Sequence, residues 1–321
     1  MGSDALVWAA RERSEQERGT DASERGVDGF RRGLLVALLP AALLGRLERL
    51  QIATRRPLAG HLAGEHRSPR HGSSLDFADY RTYHPGDDFR LIDYHLLARL
   101  DTLLIKLFEA DDELDVRLLI DTSASMGSDG KLLHAQRLAA AVGFVALVRR
   151  DTVSVSTFPT GGPVPRFVGR QAAASLFGHL EGLSAAGPTT VAQAVLHHLS
   201  RPGRAGLTVL LSDLLTPDWE RGITRLPARG GDLAVIHVLS RAELEPEMHG
   251  DLEVVDRETT ERLAVSLSPE TLAEYRAGAL AWADGVAARC RHVGAAYTRT
   301  LAGDDLESVL LSGWLRAGVF R

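Results

Sequence analysis

The sequence predicts an α/β fold: a largely parallel central sheet with helices on both faces, preceded by a small N-terminal mixed subdomain. Three observations carry that expectation. From residue 114 onward, short runs rich in Val, Ile and Leu (DVRLLID, TVSVSTF, LTVLLSD, DLAVIHVL) are spaced like buried strands. Between them, KLLHAQRLAAAVGFVALVRR, RQAAASLFGHLEGL and TVAQAVLHHLSR repeat apolar residues at i, i+3, i+4 and i+7, the period of a helix. Strands that are apolar throughout must be covered on both faces, and strand-helix alternation supplies the crossovers that parallel pairing needs. Finally, 321 residues with 45% apolar and 25% charged composition suffice for a sizeable core.

Residues 1–30, with RERSEQERGTDASERG, are polar and mixed in charge, the composition of a disordered tail. Residues 31–60 form a helical segment. Its greasy stretch LLVALLPAALLG is shorter than the roughly 18–20 apolar residues that span a bilayer and is interrupted by Pro40. It reads as a packing helix continuing through Leu47, Leu50 and Ile52, with peripheral membrane contact as the weaker alternative and no integral membrane span. Residues 61–110 carry turn formers (HRSPRHGSS), an aromatic alternation (DFADYRTYHPGDD), a helical pattern with Phe89, Ile92, Leu96 and Leu100 near one face, and the strand TLLIKLFEA. Residues 111–321 hold the alternating pattern, ending in a long amphipathic helix (LSPETLAEYRAGALAWADGVAARCRH), a short strand, and another helix after Asp304 and Asp305.

The net charge of −5 leaves no broad basic field for coating nucleic acid. One cysteine, Cys290, cannot form an internal disulfide, so a reduced, cytoplasmic setting is the default expectation. Of the 37 basic residues only Lys106 and Lys131 are lysine, a bias with no functional consequence at this level. The 12 histidines form no metal or catalytic pattern; His197 and His198 are adjacent on a helix and point in different directions.

In open α/β sheets, ligands gather beyond the carboxyl ends of the strands. After RLLI comes Asp121, with Ser123 and Ser125 at alternate positions; after VLLS comes Asp213; between them GPTTVAQAV places Thr189 just before a helix. All five side chains present hard oxygens, the donor set of Mg2+, with Mn2+ or Ca2+ as alternatives; magnesium takes six oxygens and usually keeps some water. Taken singly, Asp and Ser also favour strand-to-helix turns without any metal.

Asp121-x-Ser123-x-Ser125, a threonine in a glycine-led loop and an aspartate closing a later strand together resemble the metal-ion-dependent adhesion site of von Willebrand factor A domains. The resemblance implies a Rossmann-like sheet, direct magnesium ligation by Ser123, Ser125 and Thr189, and mostly water-mediated contacts from Asp121 and Asp213. Pro188 departs from the family, which often has a second glycine before the threonine. A strand ending in aspartate before a helix also resembles haloacid-dehalogenase phosphatases, in which an acid-base aspartate follows two residues on. Position 123 is serine, so that proton-transfer partner is missing. A magnesium-dependent hydrolase of another design needs a general base beside the metal-bound water, and spacing singles out none; no catalytic residue is assigned.

A second resemblance covers most of the chain after residue 60. YRTYHPGDDFRLIDYHLLAR, then LLIDTSASM, VLSRAELEP, DLEVVDRETTERL and the closing LRAGVF are similar in content and order to the bacterial domain-of-unknown-function 58 family (DUF58). Tyr94 stands where that family commonly has tryptophan, and the paired membrane helices usual before the motif are not evident. Members are often encoded beside MoxR-type AAA+ ATPases, which implies an adaptor or chaperone-like role with such a motor or with a protein client. Within the motif, Tyr83, Asp87, Asp88, Arg90 and Arg99 are candidates for partner docking, since Arg90 and Arg99 offer bidentate contacts to carboxylates. A purely structural role, with a Pro-Gly turn, an aspartate cap and an Arg90–Asp93 pair, accounts for most of them equally well.

Overall fold

The computed structural model describes residues 38–52, 76–109, 114–159, 161–203, 206–248, 250–256, 261–317 and 319–320. The tail expected over residues 1–30 lies outside them, as do parts of the 31–60 and 61–110 segments. The chain divides into two compact units, Ala59–Glu113 and a larger one formed by the remainder.

Helix α1 (Ala41–Leu47) of the larger unit starts directly after Pro40, whose missing N–H costs nothing at a helix start. It buries Leu43 and Leu47, and the chain after it makes an isolated antiparallel bridge from Ile52 to Phe320. The greasy N-terminal stretch therefore packs as a short core helix where it is described.

In the smaller unit, β1 (Asp76–Thr82) pairs antiparallel with β2 (Leu104–Glu109). The single helix expected between them is broken. A 3-10 turn (Phe89–Leu91) is capped by Asp88, and α2 (Tyr94–Leu100) is capped by Asp93, which accepts from the amides of His95 and Leu96. Helical spacing alone does not reveal this break, because an aspartate that satisfies the orphan amides of a new helix ends the preceding turn. Phe89 and Leu100 are left exposed rather than sharing a buried face with Ile92.

The larger unit continues through β3 (Asp115–Asp121), α3 (Lys131–Val148), β4 (Thr152–Phe158), β5 (Arg166–Val168), α4 (Ala173–Glu181), α5 (Val191–Ser200), β6 (Gly206–Ser212), α6 (Trp219–Arg225) and β7 (Gly231–Leu239). There follow the short α7 (Arg241–Leu244), the hairpin β8 (Gly250–Val255) and β9 (Arg262–Leu267), α8 (Pro269–His292) and β10 (Ala296–Leu301). The central sheet has six strands in the order β10-β7-β6-β3-β4-β5, parallel except for the edge strand β5. The fold is thus α/β with a mostly parallel sheet, as the alternation of apolar runs and helical patterns predicts. Edge strand β5 escapes such a reading because a three-residue strand has no periodicity to detect.

Alternate residues of the strands feed two cores. Val116, Leu118 and Ile120 of β3 join α1, α3 and α4 on one face, whereas Leu119 joins Val191, Val195, Ile223 and Val286 from α5, α6 and α8 on the other. Helix α3 is by length and composition apolar enough to cross a bilayer, but 83% of it is buried as the central helix of the first core. Gly143 allows α4 to pack against it, since a Cβ there would stand 2.4 Å from the Leu176 side chain. Strand β3 lies between β4 and β6, so the chain leaves it toward opposite sides of the sheet; its carboxyl end is the switch point at which such sheets open a crevice.

Candidate metal centre

Asp121 is the last residue of β3 and Asp213 follows the last residue of the adjacent β6, so the switch point places two carboxylates side by side. Both are fully buried. Asp121 Oδ1 accepts from the Ser123 amide at 2.9 Å and from Thr189 Oγ1 at 3.3 Å; Oδ2 accepts from Ser212 Oγ at 2.5 Å. Ser123 Oγ and Ser125 Oγ share a hydrogen bond of 3.0 Å. Four of the five residues expected at the site are therefore linked around one carboxylate or one hydroxyl pair.

Thr189 reaches this cluster because two backbone bonds lace its loop to the turn after β3. The Ala124 amide donates to the Gly187 carbonyl at 2.9 Å and the Ala186 amide to the Thr122 carbonyl at 2.8 Å. Gly187 has φ +82°, a conformation that glycine adopts at little cost. Pro188 then stiffens the chain just before the threonine, and Thr189 is brought to Asp121 despite the departure from the double-glycine pattern.

The fifth residue, Asp213, turns to a different partner. Its Oδ2 accepts from Lys131 Nζ at 2.7 Å, and its Oδ1 accepts from the Leu215 amide at 3.2 Å. Lys131, the first residue of α3, is completely buried and also pairs with Glu243 of α7. Glu243 is fixed in turn by a capping box with Ser240, accepting from the Ser240 amide at 2.7 Å. Below Asp213, His237 donates from Nε2 to the Asp213 carbonyl at 2.9 Å while its Nδ1 accepts from the Tyr297 hydroxyl at 2.8 Å, which fixes its tautomer. Lys131, Glu243, Ser212 and His237 were not expected from the motif. The one signal for Lys131 is composition: a chain that uses arginine almost throughout keeps a lysine here, where a compact ammonium fits between two carboxylates.

The electrostatics follow from burial. Removal from water, then the charge of Asp213, pushes Asp121 up to about 7, against the hydrogen bonds from Ser212 and Ser123 that favour its ionised form. Lys131 is held above its ordinary value although burial opposes its charge, because Asp213 and Glu243 face it. Burial pulls the His237 imidazole down to about 4, so it is neutral near pH 7.

Does this donor set fit a magnesium ion? Among the described residues no group of three or more His, Cys, Asp and Glu side chains could hold a metal, so the case rests on the hydroxyls. Two buried carboxylates and three buried hydroxyls, all hard oxygens, match magnesium's preference. The residues fit a divalent cation. Asp213 is already engaged by the Lys131 ammonium.

The candidate docking residues lie in the smaller unit. Asp87 pairs with Arg81 at 3.0 Å and accepts from the His84 amide at 2.8 Å, which closes the Pro85-Gly86 turn. Those bonds hold its carboxyl below the ordinary range, Arg81 foremost. Asp88 is the cap of the 3-10 turn through the Arg90 amide. The half-buried Tyr83 bonds the Leu103 carbonyl through its backbone amide, and Arg90 and Arg99 are exposed. Asp87 and Asp88 thus serve the local turn, while the two arginines are displayed to solvent. Elsewhere, burial pushes the Cys290 thiol up to about 12, so this buried cysteine is an inert core residue and not an activated one.

The DUF58 profile, described as a protein of unknown function, matches residues 79–282, which is well over half of the chain and contains the whole carboxylate and hydroxyl cluster. The chain belongs to the DUF58 family. Among curated proteins, this DUF58 chain is 28% identical over 263 residues to the uncharacterized protein Rv1480 of Mycobacterium tuberculosis, covering 79% of this chain and 83% of that protein. The uncharacterized protein Mb1516 of Mycobacterium bovis matches to the same extent. Among solved structures, BatB from Bacteroides thetaiotaomicron, titled a conserved hypothetical protein, aligns with 14% identity and a TM-score of 0.37, over 64% of this chain and 98% of that one. An aerotolerance-related membrane protein from Bacteroides fragilis aligns over the same shares with 14% identity and a TM-score of 0.39. Both structural likenesses are too loose to bear on function.

Proposed function

We propose that this DUF58 protein is a metal-dependent protein-binding module of the von Willebrand factor A type, whose adhesion-type site takes Mg2+ and captures an acidic residue of a partner. The observation that carries the reading is the junction at Asp121: a threonine from a loop 68 residues away donates to the same carboxylate oxygen that the Ser123 amide orients. In this reading Ser123, Ser125 and Thr189 hold the ion, with Asp121 and Asp213 supplying charge. The ion supplies a Lewis-acidic position for one outside carboxylate. Ser212 and the Ser123 amide keep the Asp121 carboxylate aimed at the cluster, and the Lys131–Glu243 pair holds Asp213 at its rim. The family resemblance supports an adaptor or chaperone-like role beside a MoxR-type AAA+ ATPase, with Arg90 and Arg99 as exposed docking groups.

Magnesium titrated into the full chain is expected to raise its thermal midpoint saturably, since a ligand at 100 times its Kd stabilises by about 2.7 kcal/mol. Asp121→Ala abolishes that rise while keeping the fold. Pull-down of the ATPase or client is then expected to weaken with chelator and with Asp121→Ala alike. Equal capture under both treatments overturns the reading, and metal-dependent phosphatase or peptidase turnover lost in Asp121→Ala replaces it with a hydrolase.

A further inference from the structure

The opposite end of the same sheet carries a second concentration of charge, of the other sign. The register sets Arg117 of β3 beside Ser154 of β4, and Ser154 beside Arg166 of β5, so the three side chains stand in one row on one face. The carboxyl end of α5 lies over this row with His198 and Arg201, and Arg229 reaches in from the segment before β7. Together these line a cavity of about 280 Å³ whose described lining holds four arginines and one carboxylate, Asp115.

Three of the arginines are held in place by the chain, and Arg166 is exposed at the cavity edge. Arg117 Nη2 pairs with Asp115 at 2.5 Å, and Arg117 is only 7% exposed. Arg229 donates to the His198 carbonyl and, at 2.7 Å, to the Arg201 carbonyl, the free acceptors at the end of α5. Arg201 donates to the Gly162 carbonyl at 3.1 Å. The chain makes room for this convergence at Gly203, where a Cβ would stand 2.9 Å from both Arg117 Nη2 and Arg229 Nη1. Carbonyl capping explains part of Arg229. It does not explain why the Arg229 Nε and the Nε2 of His198, itself 5% exposed, are buried with no hydrogen-bond partner among the described residues. Nor does it explain two further guanidinium groups on the sheet beside them. A guanidinium cannot shed its proton, and among the described residues arginines outnumber carboxylates here, a setting that favours an anion beside the unpartnered Arg229 Nε and His198 Nε2.

A second cavity, about 440 Å³, shares Ser156, His198 and Arg201 with the first. It runs past Phe158, Pro159, Pro188 and Ala194, a wall with little charge. The two adjoin at these shared residues, one basic and the other largely apolar.

We propose that these adjoining cavities bind a small phosphorylated molecule of nucleoside-diphosphate size, with its phosphates among Arg117, Arg166, Arg201 and Arg229 and its uncharged body in the apolar cavity. Paired guanidinium forks match phosphate oxygens bidentately. His198 completes the set as a neutral donor. Burial first, then the charges of Arg229, Arg117 and Arg201, pull it down to about 3, so it offers an N–H without adding to the repulsion.

The test is calorimetric titration of the full chain with pyrophosphate and with ADP, both in EDTA so that magnesium cannot bridge the ligand to the carboxylate cluster. Saturable binding of both probes is expected, with a Kd below about 1 mM and ADP the tighter. The Arg166→Gln/Arg201→Gln double variant weakens both by at least about tenfold with an unchanged thermal midpoint. Arg166 is exposed, so Arg166→Gln alone supplies the comparison if the double variant is unstable. No saturable binding of either probe, or binding that the variants leave unaltered, overturns the site. Equal affinity for pyrophosphate and ADP overturns the role of the apolar cavity.

Discussion

The two ends of β3 bury opposite charges and handle them differently. Arg117 and Asp121 lie on the same face of one strand, four residues or roughly 13 Å apart at strand rise. At the carboxyl end the charge is met from within: Lys131 sits between Asp213 and Glu243, and Asp121 is surrounded by hydroxyl and amide donors. At the amino end, the described cavity lining sets four arginines beside one carboxylate and the carbonyls of a helix terminus. The first end meets its carboxylates with an internal ammonium and hydroxyl donors; the second leaves its arginines, among the described residues, with fewer carboxylates than guanidiniums. Buried charge by itself therefore predicts no function, whereas the balance around it does.

The largest expected effect breaks that balance at the carboxyl end. Lys131→Met leaves Asp213 and Glu243 buried without their cation, and should cost about 3–5 kcal/mol in urea unfolding at pH 7.5. A loss below about 1 kcal/mol would mean that the ammonium is not what neutralises this end. On the proposed metal reading, added magnesium is expected to restore part of the lost stability in this variant.

Acid titration sharpens the comparison next. His198 and His237 are held neutral in the fold, so their contribution is present above the unfolded value near 6.5 and is lost as pH falls toward about 3 and about 4 respectively. Asp121 has the opposite sign: raised to about 7, it favours the fold at low pH and loses that advantage as pH rises through 7. At the carboxylate end His237 and Asp121 offset each other between pH 4 and 6.5, and the net slope comes from the arginine end. Stability should thus fall on acidification by about 1.4 kcal/mol per pH unit from these groups, and His198→Gln should flatten the profile measured by thermal melts. A profile that His198→Gln leaves unaltered places the slope elsewhere.

The smallest effect is expected from Asp115→Asn. The pair with Arg117 is largely buried at the cavity wall, and its loss should cost about 1–3 kcal/mol while tightening pyrophosphate binding a few-fold. A larger loss of stability without tighter binding would make the amino end a structural ion pair like the one at Lys131.

The parts of this molecule that were legible in sequence are those written in consecutive residues. The apolar runs became β3, β4, β6 and β7, and the helical patterns became α3, α4 and α5, because burial of a strand or of a helix face imposes its period on neighbouring positions. Asp121, Ser123, Ser125, Thr189 and Asp213 could be picked out because each follows a strand run or opens a helix, where the chain presents polar groups beyond the sheet. The break at Asp93 was lost within an otherwise helical pattern, and β5 was too short to show one.

What only the tertiary structure decided is which of these residues meet. Lys131 finds Asp213 and Glu243 at separations of 82 and 112 residues, and Thr189 finds Asp121 across 68. The arginines at 117, 166, 201 and 229 stand on different elements and share no spacing; strand register and the end of α5 bring them to one cavity. Sequence by itself determined the periodicities and the residue types available at the strand ends, because those arise from local backbone geometry and burial. The pairing of charges depends on sheet order and register, which arise from packing between segments far apart in the chain.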